Sequence, residues 1–131
     1  MMHGRIVFFC IALLTLLSIA GCSNGYRQQL NAINQQIEKG ESDSALHQLS
    51  ALEHRHLSDE DRALCHLLIV KTMYRLYRVL PTDSLINNSI ATFRFLGNDS
   101  LLADAYYYKA AMASDREKDK GYVKVMGCLR A

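Results

Sequence analysis

The sequence predicts an all-α domain behind a short, separate leader, and three observations carry that expectation. From residue 26 onward apolar residues recur three and four apart, the spacing that puts side chains on one face of a helix. Helix punctuation interrupts these stripes at short intervals, at Gly40, Ser58, Pro81 and Gly97. No segment alternates apolar and polar residues long enough to make a half-buried strand. Helices joined by turns of about two to six residues pack as antiparallel hairpins, because short links leave consecutive neighbours little other choice.

A first helix is expected from about Tyr26 to Lys39, with Leu30, Ile33 and Ile37 as its stripe and Gly40 as a left-handed cap. A second runs from about Ser42 to Arg55, opened by a serine cap, with Ala45, Leu46, Leu49 and Leu52 on one face. In "SDED", Ser58 caps a third and longer helix, which carries Ala63, Leu64, Leu67, Leu68, Tyr74 and Leu76 before Pro81 stops any continuation. A fourth covers about Asp83 to Leu96 with Ile86, Ile90 and Phe93, closed by Gly97. The fifth starts at Asp99 and presents Leu102, Ala105, Tyr106, Ala110 and Ala113. The charged run "DREKDKG" is expected as a solvated turn, followed by a weak sixth helix over about Tyr122 to Arg130.

The 131 residues, half of them apolar, with one proline and a formal charge of +2, suit a single small domain. The 15 basic residues are interleaved with 13 acidic ones, so no basic face argues for nucleic acid. Residues 1–21 are a separate matter. Arg5 gives a positive start, and the apolar run from Ile6 to Ala20 is shorter than the roughly 20 residues that span a bilayer. That pattern fits a secretory signal peptide. An uncleaved signal anchor and an ordinary cleaved signal remain as alternatives.

Ile19-Ala20-Gly21-Cys22 resembles a bacterial lipobox. The resemblance implies signal peptidase II recognition through Ile19, Ala20 and Gly21, and cleavage before Cys22. It also implies a covalent diacylglycerol on the Cys22 thiol and an acyl chain on its new amino group. Two or three such chains hold a domain on a bilayer, at about 0.8 kcal/mol per buried methylene. The expected organisation is a signal peptide at 1–21, a lipidated cysteine and tether at 22–25, and a helical domain at 26–131. Of the other cysteines, Cys10 leaves with the signal, while Cys65 and Cys128 read as small buried hydrophobes. They would pair only if their Cα atoms lay within about 7 Å.

Helix pairs starting near Tyr26, Asp59 and Asp99 have close to the period of a tetratricopeptide repeat, a family the chain resembles. "DSALHQLSAL" looks like a second repeat helix and "AYYYKAAM" like a first, with Ala110 where the family prefers a small residue. Together, "DRALCHLLIVKTMYRLY", "DSLINNSIATFRFLGN" and "LADAYYYKAA" look like Bacteroidota tetratricopeptide lipoproteins, some of which continue into a membrane helix and a signalling or DNA-binding module. The resemblance implies a short α-solenoid in the cell envelope, anchored to the inner or outer membrane. Because no acidic pair follows Cys22, it implies a domain facing the periplasm. It also makes Asp-Ser followed by an apolar residue an O-glycosylation motif, at Ser44, Ser84 and Ser100, although the same pairs are ordinary helix caps. Departures from the family include Ile33 and Leu67 at small-residue places and no proline closing the first repeat. Nor does a polar capping helix precede Ala131: either Met126 and Leu129 cover the last face alone, or the chain is the front part of a longer protein, and an apolar end left exposed would seek a partner or a second copy.

No catalytic chemistry is legible. A Gly-x-Ser-x-Gly elbow, a phosphate-cradling loop and a His-Glu-x-x-His helix are all lacking from the sequence. His47, His54, His56, Cys65 and His66 lack the spacing of a metal site, so no metal or non-covalent cofactor is expected. The consecutive Tyr106, Tyr107 and Tyr108 are the best partner-binding candidates, since residues about 100° apart cannot all enter one core. Packing is the competing role for them, and for Tyr74 and Tyr77. The expected function is a membrane-anchored scaffold that binds an unidentified protein or peptide without chemistry. The alternative is the truncated input domain of a signalling or transcriptional regulator.

Overall fold

A computed structural model describes residues 25–130, together with the isolated position 4. The leader, the motif Ile19, Ala20, Gly21 and the lipid acceptor Cys22 lie outside the described residues. Within them the chain is all-helical, with no strand: α1 (25–38), α2 (Ser42–Glu53), α3 (Asp59–Arg75), α4 (Ser84–Leu96) and α5 (Asp99–Arg130).

Cross-helix contacts fix the topology. Gln36 pairs with Gln48, Cys65 with the Leu49 carbonyl, Ser89 with the Ala63 carbonyl and Lys109 with Asn87, so each consecutive pair of helices is antiparallel. Alternate helices run parallel. Between α1 and α3, Arg27 meets Asp61 at a sequence separation of 34, and Asn34 meets Lys71 at 37. Between α3 and α5, the rings of Tyr74 and Tyr108 lie 5.8 Å apart.

The centre is α3. Ala63, Leu64, Cys65, Leu67, Leu68, Ile69, Val70 and Thr72 are all buried, and such a run covers most of the helix circumference. Around it lie Leu30, Ile33 and Ile37 of α1, Ala45, Leu49 and Leu52 of α2, Ile86, Ile90 and Phe93 of α4, and Ala105 and Met112 of α5. The stripes expected for α1 and α4 are all present. Leu46 of α2 is only partly buried.

Polar groups inside this core are matched. Ser89 donates to the Ala63 carbonyl at 2.7 Å, which marks a close approach of α3 and α4, and Thr72 donates to its own helix at Leu68, 2.6 Å away. Asp61 is buried and accepts from Arg27 at 2.7 Å, joining the starts of α1 and α3. Ser58 caps α3 as expected, its hydroxyl accepting from the Asp61 amide at 3.1 Å.

Four sequence expectations are corrected. Ser42 is not a cap: Glu41 holds that place, without a side-chain hydrogen bond, and Ser42 is buried in the first turn of α2. The turn at Gly40 shifts the helix start by one residue. "DREKDKG" is not a turn, and there is no separate sixth helix, because α5 runs unbroken for 32 residues. Arg, Glu and Lys are good helix formers, and Asp115–Lys118 and Glu117–Lys120 pair one turn apart, so a solvated segment is helical here. Arg116 in that run pins α5 to the loop before α4, through Asp83 at 2.6 Å and the Leu80 carbonyl. Ala110 is exposed rather than closely packed, the buried side of α5 being Ala105 and Met112 with Leu101, Leu102 and Tyr108 partly buried. Lastly, Cys128 is exposed; only Cys65 is buried, and both are free thiols.

Three helices end in the same way. The amide of the left-handed residue reaches back three residues and the next amide reaches back five: Gly40 to Ile37 and Glu41 to Gln36, Gly97 to Arg94 and Asn98 to Phe93, Tyr77 to Tyr74 and Arg78 to Met73. Glycine takes the left-handed position at φ 88° and 68° in two of them, and Tyr77 takes it at φ 55° in the third. A side chain with a Cβ is strained there by about 1–2 kcal/mol. Tyr77→Gly is therefore expected to stabilise the fold by about 1 kcal/mol, after the flexibility glycine adds to the unfolded chain. Thermal unfolding followed by circular dichroism reads this as a midpoint about 4 °C higher. A lower midpoint would contradict the strain.

Candidate binding groove

The parallel register of α3 and α5 sets tyrosines side by side. Tyr74, the second-last residue of α3, faces Tyr108 edge-on, and Tyr107 meets Tyr108 at 5.1 Å with rings 85° apart. These rings, with Tyr77 just beyond α3, line an open groove of about 800 Å³. Gly40 and Ser42, at the turn into α2, form its far side, and Arg75, Asp115 and Lys118 supply its charges.

Burial divides the four rings. Tyr74 and Tyr108 are partly buried against the core. Tyr107 is 59% exposed and Tyr77 93% exposed. The Tyr74 hydroxyl is pushed above its ordinary range chiefly by the neighbouring Tyr107 oxygen, and the Tyr108 hydroxyl chiefly by burial. Both therefore keep their protons at neutral pH and stay able to donate a hydrogen bond.

Beside the groove, Arg75 and Lys71 of α3 clamp Glu38 of α1. Arg75 Nη2 lies 2.8 Å from Glu38 Oε2, and Lys71 donates to the other carboxylate oxygen. The hydrogen bond from Lys71, more than any other influence, holds the Glu38 carboxyl below its ordinary range. Arg75 also donates to the Ile37 carbonyl at 3.3 Å, so one wall of the groove is fixed to the end of α1. Lys118 and Asp115 sit 3.4 Å apart along α5.

Of the three consecutive tyrosines, Tyr107 and Tyr108 line the groove and Tyr106 does not. Tyr106 lies on the α4 side of α5, where its hydroxyl accepts from Arg94 and the guanidinium sits 6.0 Å from the ring centroid. For Tyr74 and Tyr77 the sequence leaves packing as the competing role to partner binding; both line the groove. Their spacing of three at a helix end just before Pro81 is the signal that both reach one edge. The left-handed backbone of Tyr77 leaves no trace in the sequence.

Ser44, Ser84 and Ser100 are all exposed, in the first turns of α2, α4 and α5. They share a position in the helix but no common cluster is formed with the tyrosines. Cys65 is a poor nucleophile: burial pushes its thiol up to about 11, and its sulfur lies 3.7 Å from the Leu49 carbonyl. His66 is held below the ordinary imidazole range by burial, with Nδ1 3.0 Å from the Asn88 amide nitrogen and Nε2 3.6 Å from Glu53. A neutral ring with its proton on Nε2 suits both contacts. Among the described residues no three His, Cys, Asp or Glu side chains group as metal ligands. No protein-family model, curated protein or solved structure matches the chain.

The rings differ in what they do for the fold. Tyr108→Ala is expected to cost about 2 kcal/mol in urea unfolding, because it empties space between α3 and α5. Tyr107→Ala is expected to cost less than about 1 kcal/mol, the worth of its edge contact with Tyr108. Equal losses would contradict this division of the groove into support and contact surface.

Proposed function

We propose that the chain is a lipid-anchored scaffold of the tetratricopeptide type, which docks an extended segment of a partner protein in the tyrosine-lined groove. The observation that carries this reading is the convergence of Tyr74, Tyr77, Tyr107 and Tyr108 from two parallel helices onto one open groove. Tyrosine offers apolar area with a hydroxyl handle at little entropic cost, which is why interfaces favour it. The repeat reading is supported by the matched contacts of α1 with α3, whose partners lie 34 and 37 residues apart, close to one repeat period. Docking would be by shape and hydrogen bonding, without a chemical step.

The anchor reading rests on Ile19-Ala20-Gly21-Cys22. Among the described residues no helix is long and apolar enough to cross a membrane. Attachment to the envelope, facing the periplasm, would then depend on the lipid at Cys22. Glycans at Ser44, Ser84 and Ser100 would project from exposed helix starts.

One observation favours a second reading. Beyond Arg116, α5 leaves Tyr122, Val125, Met126 and Leu129 exposed, where a following helix of a regulator's input domain, or a second copy, would cover them. A photo-crosslinking residue placed at Tyr122 separates the two readings from one placed at Tyr107.

In cells, crosslinking from Tyr107 is expected to capture a partner that crosslinking from exposed Glu117 does not. Labelling with a palmitate analogue is expected to mark the wild-type chain and to vanish in Cys22→Ala, which should leave the membrane fraction. Membrane retention of the unlabelled variant would remove the anchor, and equal capture from both positions would remove the groove.

A further inference from the structure

We infer that the end of α5, residues 120–130, lies along an anionic lipid surface as an interfacial helix, its apolar stripe sunk between the headgroups and its cations against their phosphates. The inference is independent of what the groove holds and of the lipid at Cys22. It names a cover other than protein for the side chains left bare beyond Arg116.

At about 100° per residue, Tyr122, Val125, Met126 and Leu129 fall on one side of the helix, and all four are between 55% and 77% exposed. Val123 stands off this stripe. Charge follows the same division. The carboxylates of α5 end at Asp119, and residues 120–130 hold Lys120, Lys124 and Arg130 with no acidic side chain. Lys120 reaches back to Glu117, 3.1 Å away. Lys124 and Arg130 pair with no carboxylate among the described residues, and the helical spacing sets them on opposite borders of the stripe.

An apolar stripe bordered by cations is the pattern of a helix lying in a membrane interface, where the stripe enters the acyl boundary while Lys and Arg stay with the headgroups. A tyrosine at 122 suits the same depth, ring inward and hydroxyl outward. The helix would lie on the bilayer, since none among the described residues is long and apolar enough to cross it.

A second copy or a separate protein is a poorer match. The segment is about 16 Å long at 1.5 Å per residue. It offers the four side chains of one stripe, where a stable protein interface uses about 20–30 residues a side. Two such segments laid stripe to stripe would also gather the cations of both with no acid among them. A bilayer needs no matching shape, and its hold is the sum of apolar burial and attraction to anionic headgroups. The helix gains as well: so short a segment, containing Gly121 and Gly127, is marginal in water, and burial of its stripe supports it.

The test uses the full chain with Cys10→Ser and Cys22→Ser, so that a polarity-sensitive NBD label goes to Cys128, which is exposed where Cys65 is buried. The labelled chain is reconstituted from detergent into vesicles of phosphatidylcholine alone or with about 30% phosphatidylglycerol. Emission is expected to move at least about 10 nm to the blue on the anionic vesicles and less than about half as far on the neutral ones. Val125→Glu with Leu129→Glu should abolish the shift, and Lys124→Gln with Arg130→Gln should reduce it to the neutral-vesicle value. Unfolding midpoints of both variants should stay within about 1 °C of the parent, because the replaced side chains are exposed. No shift, or equal shifts on the two lipids, would overturn the inference. So would a shift without lipid that grows with protein concentration, the mark of a second copy, or a protein captured in cells by crosslinking from Tyr122. Each of these results leaves the groove and the Cys22 anchor as they stand, since the labelled chain carries no lipid acceptor and its groove is unaltered.

Discussion

The domain depends on one helix whose sides are almost all apolar. An amphipathic helix can be covered from one direction, but α3 buries Ala63 through Val70 with a single break at His66, and so needs neighbours all round. The other helices meet that requirement with single stripes: Leu30, Ile33 and Ile37 from α1, Leu49 and Leu52 from α2, Ile90 and Phe93 from α4, Ala105 and Met112 from α5. Each has a polar face left for solvent. Where α3 must come closest to α4, Ala63 and Ser89 are small, and the serine hydroxyl is tied to the Ala63 carbonyl. The parallel arrangement of α1, α3 and α5 follows from this wrapping, and with it the meeting of Tyr74 and Tyr108.

Much of this was legible in the sequence, and the reasons differ by element. Stripes such as Ile86, Ile90 and Phe93 are read directly, because a helix with one buried face has the same period in sequence as in space. Gly97 and Ser58 announce their ends through chemistry that few other residues supply. The charged run after Met112 misled, because solvation was taken for irregular structure, whereas good helix formers and pairs one turn apart favour a helix even where no core covers it. Ala110 misled for a related reason: a small residue fits a close contact, but a resemblance does not say which side of the helix the contact is on. Cys128 was read as buried from apolar neighbours that are themselves exposed.

The groove was half legible. Three consecutive tyrosines must point three ways, and that geometry sends Tyr107 and Tyr108 to the groove and Tyr106 towards Arg94. The other half came from α3, where Tyr74 and Tyr77 belong to the site only through the pairing of two helices distant in sequence. Tyr77 illustrates how stability and binding can be opposed in one residue. Glycine would suit its backbone better, and the ring it carries instead makes no contribution to the core.

About 20 Å of α5 beyond Arg116 extends past the packed region at 1.5 Å per residue, and its side chains there are exposed. Helices of that length are marginal in water without packing. Native-state amide hydrogen exchange, resolved by residue, tests the α3-centred account most directly. It predicts that amides 64–72 of α3 exchange last, only on global unfolding, while amides 120–130 of α5 exchange orders of magnitude sooner. Exchange of α3 ahead of α1 and α4, or protection of 120–130 equal to that of α3, would contradict it.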